Sequence, residues 1–339
     1  MKPKTKSIIQ FVIFLGLGIL LVWFALRAVA SEKENIISAF KNADYFWVGV
    51  STVIGFFSHF LRAYRWNYLL EPLGHRTSLF NAVAAVFIGY FANYAMRLGE
   101  VLRPTIIDRY DKVPFQAGFG TVITERLIDF ILLAIFFVLT LIFQFSELGG
   151  LAEKYVFSGL RNKLGVFIER PLVGIITIAL VLIVIVVLFR MRKKIADALK
   201  GKFGKFLLGF GEGLASVKNV KNIPMFILLS VLIWVMYFYS LYTCLKALPE
   251  TSVISQKACL TLMLFGTFGV IFTPGGLGAY HILIMQLLVF YGVPTAPATA
   301  LPWLTWTSQL ILVTVLGLIF LGILPIVNKK KNELSQQTK

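Results

Sequence analysis

The stretch LFNAVAAVFIGYFANYAM, from Leu79 to Met96, runs without a spacer into RLGEVLRP, from Arg97 to Pro104. The first part approaches the length of about 20 apolar residues that a helix needs to cross a bilayer. The second packs two arginines, a glutamate, a glycine and a proline into eight residues. Hydrocarbon offers no partners for such groups, so the chain must turn back or shelter them inside protein. An apolar segment that stops at charge in this way predicts an interrupted hairpin. A second occurs further on, where the apolar region Ala258 to Tyr291 is split by TPGGLG at Thr273 to Gly278. Three glycines and a proline in six residues do not continue a helix.

Around these two regions lie six uninterrupted apolar runs: Ser7 to Leu26, Tyr45 to Leu61, Leu127 to Phe145, Pro171 to Phe189, Pro224 to Leu245 and Ala298 to Leu324. The composition agrees. Of 339 residues 58% are hydrophobic and only 14% charged, with mean hydropathy +0.81, whereas soluble domains carry about 45–50% apolar and about 25% charged residues. The longest stretch without an apolar run, Arg190 to Asn222, has 33 residues, too few for a soluble catalytic domain. The expected fold is all-α: one integral membrane domain over 1–339, a polytopic transmembrane helical bundle with six full crossings and two interrupted or re-entrant hairpins. If the hairpins enter from opposite faces, an inverted repeat with a site near the midplane is the arrangement to expect, the alternative being an irregular bundle with two surface loops.

Charge sets the orientation. The net charge is +17, and a soluble chain so basic would point to nucleic acid. Here the basic residues sit in short segments between apolar runs, where the positive-inside rule and anionic lipid heads account for them. No nucleic-acid partner is expected. The loop 190–222 holds nine basic and two acidic residues, so it is placed in the cytoplasm with the lysine-rich N-terminus and the basic tail 325–339. The first hairpin then opens to the cytoplasm and the second to the outside. Inner segments hold 24 basic against 9 acidic residues, outer ones 9 against 7. Within the loop, Ile195 to Val220 mixes lysines with phenylalanines and leucines and reads as a basic surface helix, weakened by its glycines.

The charged residues near membrane depth are the candidates for function. Arg62 and Arg65, three apart beside Trp66, read first as interfacial anchors at a helix end, and alternatively as contacts to an anionic headgroup. Arg97, Glu100 and Arg103 follow at intervals of three and would pair on a helix, with Gly99 and Pro104 arguing for a break. Glu125 and Asp129, four apart with Arg126 alongside, begin a long apolar run and need partners, which the upstream arginines supply. Two readings stay open: an ion-paired staple between hairpin and next helix, or a polar site where arginines grip a lipid phosphate and the acids set their geometry or hold a cationic group. The turn Pro274, Gly275, Gly276, Gly278 either binds an anion at the N-terminus of a helix from about Ala279 or is a tight turn without function. His281 reads as a hydrogen-bonded core group, with a proton carrier as the alternative.

Other chemistries find no residues. No GxxxxGK[ST] loop or G-x-S-x-G elbow is present, and His59, His75 and His281 are too scattered for a metal site. No metal, cofactor or catalytic residue is expected. Cys244 and Cys259 lie in or beside apolar runs and read as small core residues.

Four pieces, RAYRW (Arg62 to Trp66), GYFANYAMRLGEVLRP (Gly89 to Pro104), TVITERLIDF (Thr121 to Phe130) and TPGGLGAYH (Thr273 to His281), give the chain its resemblance to the lysylphosphatidylglycerol synthase transmembrane region family. These are flippase-like membrane proteins, similar to the lipid-translocating part of the bacterial multiple peptide resistance factor. The resemblance covers roughly residues 8–325. It implies a multi-pass protein of the bacterial cytoplasmic membrane that moves an anionic or aminoacylated phospholipid between leaflets. It points to Arg97, Gly99, Glu100, Arg103, Pro104, Glu125, Arg126, Asp129, Pro274, Gly275, Gly276 and Gly278. The chain departs from it twice. The soluble aminoacyltransferase domain of the full resistance factor is missing, and His281 stands where many relatives have a glutamate after PGGLG.

The expected function is therefore a lipid flippase or transporter, driven downhill or by an ion. The alternatives are an intramembrane lipid-modifying enzyme with Glu125 or Asp129 as general base, and a non-catalytic partner of a separately encoded lipid- or glycan-synthesising enzyme. Expected partners are membrane lipids with anionic headgroups, and a second copy of the chain or such an enzyme.

Overall fold

The computed structural model describes residues 27, 30–96, 98–144 and 220–337. Among them all regular structure is helical. The expected crossings Ser7 to Leu26 and Pro171 to Phe189, Arg97, the last two residues of the tail, and nearly all of the loop 190–222 with its surface helix lie outside the described residues. The chain divides into two compact units, 1–138 with 216–339, and 139–215. All described site residues belong to the first.

The helices are α1 (Lys33–Lys41), α2 (Tyr45–Leu70), α3 (Leu79–Met96), α4 (Gly99–Asp111), α5 (Phe115–Phe143), α6 (Ile223–Leu245), α7 (Pro249–Ser252), α8 (Gln256–Phe272), α9 (Ala279–Phe290) and α10 (Thr295–Gln337). Polar caps start several of them. The Asp44 carboxylate accepts from Phe46 N at 3.0 Å to open α2, Asn222 accepts from Met225 N at 3.1 Å to open α6 with Pro224 in its first turn, and Ser255 accepts from Ala258 N at 3.2 Å to open α8. Lys112, with φ +59°, closes α4 in the left-handed region.

Among the described residues four helical segments are long and apolar enough to cross a membrane: Tyr45–Leu73, Phe115–Phe143, Ile223–Leu245 and Thr295–Lys329. Three of them contain one of the expected runs whole, Phe115–Phe143 covers the run Leu127 to Phe145 up to Phe143, and three begin or end beyond the run in an informative way. The second run was expected to end at Leu61, but α2 continues to Leu70 because its two arginines turn inward. The third was expected from Leu127, but α5 starts at Phe115 and carries Glu125 and Asp129 within the helix. The last begins at Thr295, with Pro302 inside α10.

The two interrupted regions each form an antiparallel helix pair. In the first, a Cβ built on Gly89 would meet Arg103 Cγ at 2.6 Å, and Ile106 and Tyr110 of α4 pack beside Ala84 and Ile88 of α3. In the second, a Cβ on Gly269 would lie 2.7 Å from the backbone of Tyr280. In the first pair α3 ends at Met96 and α4 begins at Gly99. Pro104, expected to interrupt the chain, sits inside α4 as its sixth residue, where it removes one backbone hydrogen bond without ending the helix.

α2 and α5 turn many apolar side chains outward and keep polar ones inside. On α2 the buried face carries Ser51, Ser58, His59, Arg62, Arg65 and Trp66, while Phe46, Val53 and Phe57 are exposed. On α5 Thr121, Thr124 and Glu125 are buried and Phe130, Ile131 and Ile135 exposed. This is the inverse of a soluble helix and suits a lipid surround. α2 packs along α6, and α3 packs against α2, α4 and α10. Between them Trp66, Leu70, Val86, Phe87, Ile107, Val122 and Val313 form the main core. Two polar clasps lock the long contacts: Ser51 and Ser240 bond each other's carbonyls at 2.6 and 2.9 Å, and Asn81 and Asn328 exchange amide bonds at 3.0 and 2.9 Å.

Candidate functional site

The buried face of α2 brings Arg62 and Arg65 against α5, where Glu125 and Asp129 stand one turn apart. Arg62 Nη1 donates to Glu125 and, at 2.8 Å, to Asp129 Oδ2. Its Nη2 donates to the Tyr237 hydroxyl of α6 at 3.1 Å. Arg65 Nη1 donates to Ser230 Oγ of α6 at 2.7 Å, and Nη2 lies 3.8 Å from Glu125 and 3.5 Å from Asp129. Arg103 comes from α4 and donates from both Nη atoms to Glu125 at 3.1 and 3.0 Å, while its guanidinium lies over the Trp66 ring at 4.5 Å. Trp66 is itself held by its indole N–H, which donates to Thr121 Oγ1 at 2.8 Å.

Arg62, Arg65 and Arg103 are at most 2% exposed, and Glu125 is fully buried. The anchor reading of Arg62, Arg65 and Trp66 therefore fails. Interfacial anchors reach out to water, whereas these three point into the bundle because α5 offers two carboxylates there.

A second, more open pair continues the network. Arg126 Nη2 donates to Glu100 at 3.2 Å and Arg126 Nη1 lies 3.6 Å from Asp129. Arg126 and Glu100 are 38% and 36% exposed, Asp129 only 13%. The charges thus run in a continuous line from the interior to a more exposed rim. The expected pairing of Glu100 with Arg103 does not form: Arg103 is taken by Glu125, and Glu100 accepts from Arg126 and, at 3.2 Å, from Asn93.

The hairpin glycines set this geometry. Gly99 N donates to Asn93 Oδ1 at 2.7 Å, and a Cβ at Gly99 would strike the Gly89 carbonyl. The close approach lets the Arg103 side chain lie along α3 and reach α5.

The interior charges do not cancel. Three buried guanidiniums face two carboxylates. Arg62 Nε, Arg65 Nε and Nη2, and Arg103 Nε have no hydrogen-bond partner among the described residues, nor does Asp129 Oδ1. Donors in excess at such depth are costly unless a further acceptor reaches them. The arrangement suits an anion that arrives and leaves.

The TPGGLG turn lies elsewhere. Gly275, Gly276 and Gly278 all have φ between +60° and +82°, and Pro274–Gly276 forms a single 3-10 turn. The Gly275 carbonyl accepts from Trp306 Nε1 at 2.7 Å, and a Cβ on Gly275 would come within 2.5 Å of the Tyr94 ring. The turn is wedged between the end of α3 and α10. His281 is buried with its ring 3.9 Å from Trp303 and 5.2 Å from Trp306. Neither of its nitrogens is hydrogen-bonded among the described residues, so the expectation of a hydrogen-bonded core histidine is corrected: indole rings surround it and offer no acceptor.

Tyr237 and Ser230 are the partners that reading of the sequence missed. They stand seven residues apart, on one face of a largely apolar helix that also carries Ser240, and that spacing of polar groups was the available signal.

The model of the family described as lysylphosphatidylglycerol synthase TM region matches residues 7–317. A UPF0104 membrane protein of Methanocaldococcus jannaschii is 26% identical over 98% of this chain and 100% of its own length. A UPF0104 membrane protein of Pyrococcus horikoshii is 23% identical over 96% and 98%. The glycosyltransferase AglD of Haloferax volcanii is 27% identical over 121 residues, 35% of this chain but only 19% of that protein. No solved structure matches.

Proposed function

Since the chain belongs to the lysylphosphatidylglycerol synthase transmembrane region family, we propose that it moves an anionic or aminoacylated phospholipid, or a related lipid, between membrane leaflets. The observation that carries this reading is the buried surplus of arginine: Arg62, Arg65 and Arg103 against Glu125 and Asp129. A headgroup phosphate entering at the rim formed by Arg126 and Glu100 would take up the spare N–H donors, bidentate where it meets a guanidinium edge. Glu125 and Asp129 hold the arginines in place while the site is empty and compete with the phosphate, so that it is released. The TPGGLG turn closes the other hairpin against α3 and α10. With no nucleotide-binding loop, movement follows the lipid gradient or a coupled ion.

The membrane is the cytoplasmic one, with both termini inside, as the distribution of Lys and Arg supports. The resemblance pointed to bacteria; the full-length relatives above are archaeal, so the reading extends to both.

The test is reconstitution into liposomes carrying a fluorescent phosphatidylglycerol, with leaflet exposure followed by chemical quenching. Wild-type protein should equilibrate the probe, and Arg103→Gln and Glu125→Gln should not, while remaining monodisperse in detergent. Equal rates for wild type and both variants would remove the cluster from the mechanism. Mass spectrometry of the same lipid separates transport from the enzymatic alternative, which would change its chemical species.

The stretch shared with a protein named as a glycosyltransferase supports a second reading: the chain works beside a separately encoded glycan- or lipid-synthesising enzyme. Co-purification of such an enzyme, with Arg103 and Glu125 dispensable, would favour it.

A further inference from the structure

At the end of the bundle where α2 and α4 finish and α3 and α5 begin, an open cleft of about 690 Å³ lies outside the charged cluster. Tyr64 and Asn67 of α2, Arg76, Thr77 and Ser78 of the connecting loop, and Arg109 and Lys112 from the end of α4 line it. Its floor is fixed. The Asn67 amide exchanges bonds with the Thr77 backbone, both at 2.9 Å, and the Asp111 carboxylate accepts from Thr77 Oγ1 at 2.5 Å and Ser78 N at 3.2 Å.

The cations are at the rim. Arg76 is 78% exposed and its nearest acid, Glu71, is 3.7 Å away. The Arg109 guanidinium lies over the Tyr110 ring at 5.4 Å. Lys112 is held at φ +59°, and among the described residues it is the one non-glycine with positive φ. That left-handed residue is the C-cap of α4, and its ammonium donates to the Arg109 carbonyl at 3.3 Å, which holds the cation at the end of the helix. Asp111 is the acid inside the cleft, and its charge is engaged by the start of α3.

We propose that this cleft is a second anion site, which takes a phosphate ester group between Arg76, Arg109 and Lys112. The phosphate comes from a lipid headgroup of the adjoining leaflet or from a small soluble phosphate compound. Three cations around a preformed polar floor suit a tetrahedral anion, and Tyr64 beside them suits the border between lipid and water. The site is independent of the lipid-transport reading, since none of its residues belongs to the ion-paired cluster.

The experiment uses the full chain in a neutral detergent, titrated separately with dioctanoyl phosphatidylglycerol and with inorganic phosphate, and read by native mass spectrometry and thermal shift. The variant is Arg76→Gln/Lys112→Gly, which removes two exposed cations and puts glycine at a left-handed helix C-cap, where it is favoured, so it should fold at least as well as wild type. Binding of the lipid alone identifies a headgroup site, and binding of phosphate alone a soluble ligand; either supports the proposal if the double variant weakens it about thirtyfold at low salt. Arg103→Gln, which strikes the other cluster, should leave that weakening in place whether or not transport survives. Affinities for both probes within twofold between wild type and the double variant, or no binding of either, would overturn it.

Discussion

Arg103 and Glu125 meet edge to edge, both Nη atoms donating to the carboxylate at 3.1 and 3.0 Å, with neither side chain more than 2% exposed. One residue ends its side chain on the returning arm of a broken hairpin and the other sits inside a continuous helix. The pair is thus the fastening between the two, and Arg62 and Arg65 bring α2 to the same carboxylate.

Removing the shared acid should be the most damaging single change in this region. Glu125→Ala leaves three buried guanidiniums against Asp129 alone, an imbalance that costs about 3–5 kcal/mol when one partner of a buried pair is lost. Thermal melting in detergent should show a large downward shift. Arg103→Lys keeps the charge but loses the two-pronged contact, and should shift the melt less while slowing lipid transfer. A melt for Glu125→Ala equal to wild type would contradict the buried network.

At the rim, stability and transport should part company. Glu100 and Arg126 are more than a third exposed, so Glu100→Gln should change stability by less than about 1 kcal/mol. If the rim admits the headgroup, the same variant alters the transfer rate in liposomes. An unchanged rate would confine the entry path to other residues.

The amide pair Asn81 and Asn328 offers a cleaner cycle, because both are buried and satisfy each other. Asn328→Leu strands a buried amide and should cost about 1–3 kcal/mol. Replacing both by leucine should recover much of that loss, as denaturant titration of the single and double variants would reveal.

Gly275 carries φ +60° and has the Tyr94 ring where a Cβ would go. Gly275→Ala should therefore destabilise through backbone strain and crowding together, by about 1–3 kcal/mol. Adding Tyr94→Ala should relieve only the crowding, so the double variant should fall short of additivity.

The two broken hairpins were legible in the sequence because charge and glycine interrupt apolar runs, and lipid tolerates neither without shelter. Glu125 and Asp129 were legible for the same reason, since acids inside an apolar run demand partners. Which partners answer was not. Arginines three apart on α2 fit an outward anchor as well as an inward pair, and only the position of α5 decides. Ser230 and Tyr237 lie 165 and 175 residues from the arginines they serve, and no local pattern reports a contact over that separation. Glu100 and Arg103 had the spacing to pair, yet a buried carboxylate opposite Arg103 competes better than a half-exposed one on its own helix.

The last helix reaches further than any bilayer requires. Its 43 residues span about 65 Å, over twice a hydrocarbon thickness of about 30 Å, and tilting alone does not absorb the difference. The turns beyond Lys329 lie outside its apolar stretch, Thr295–Lys329, and continue, past Pro325, the segment that holds Asn328 against α3 and Trp306 against the glycine turn. A spin label or fluorophore fixed near that tip would magnify small rotations deep in the protein into displacements large enough to watch.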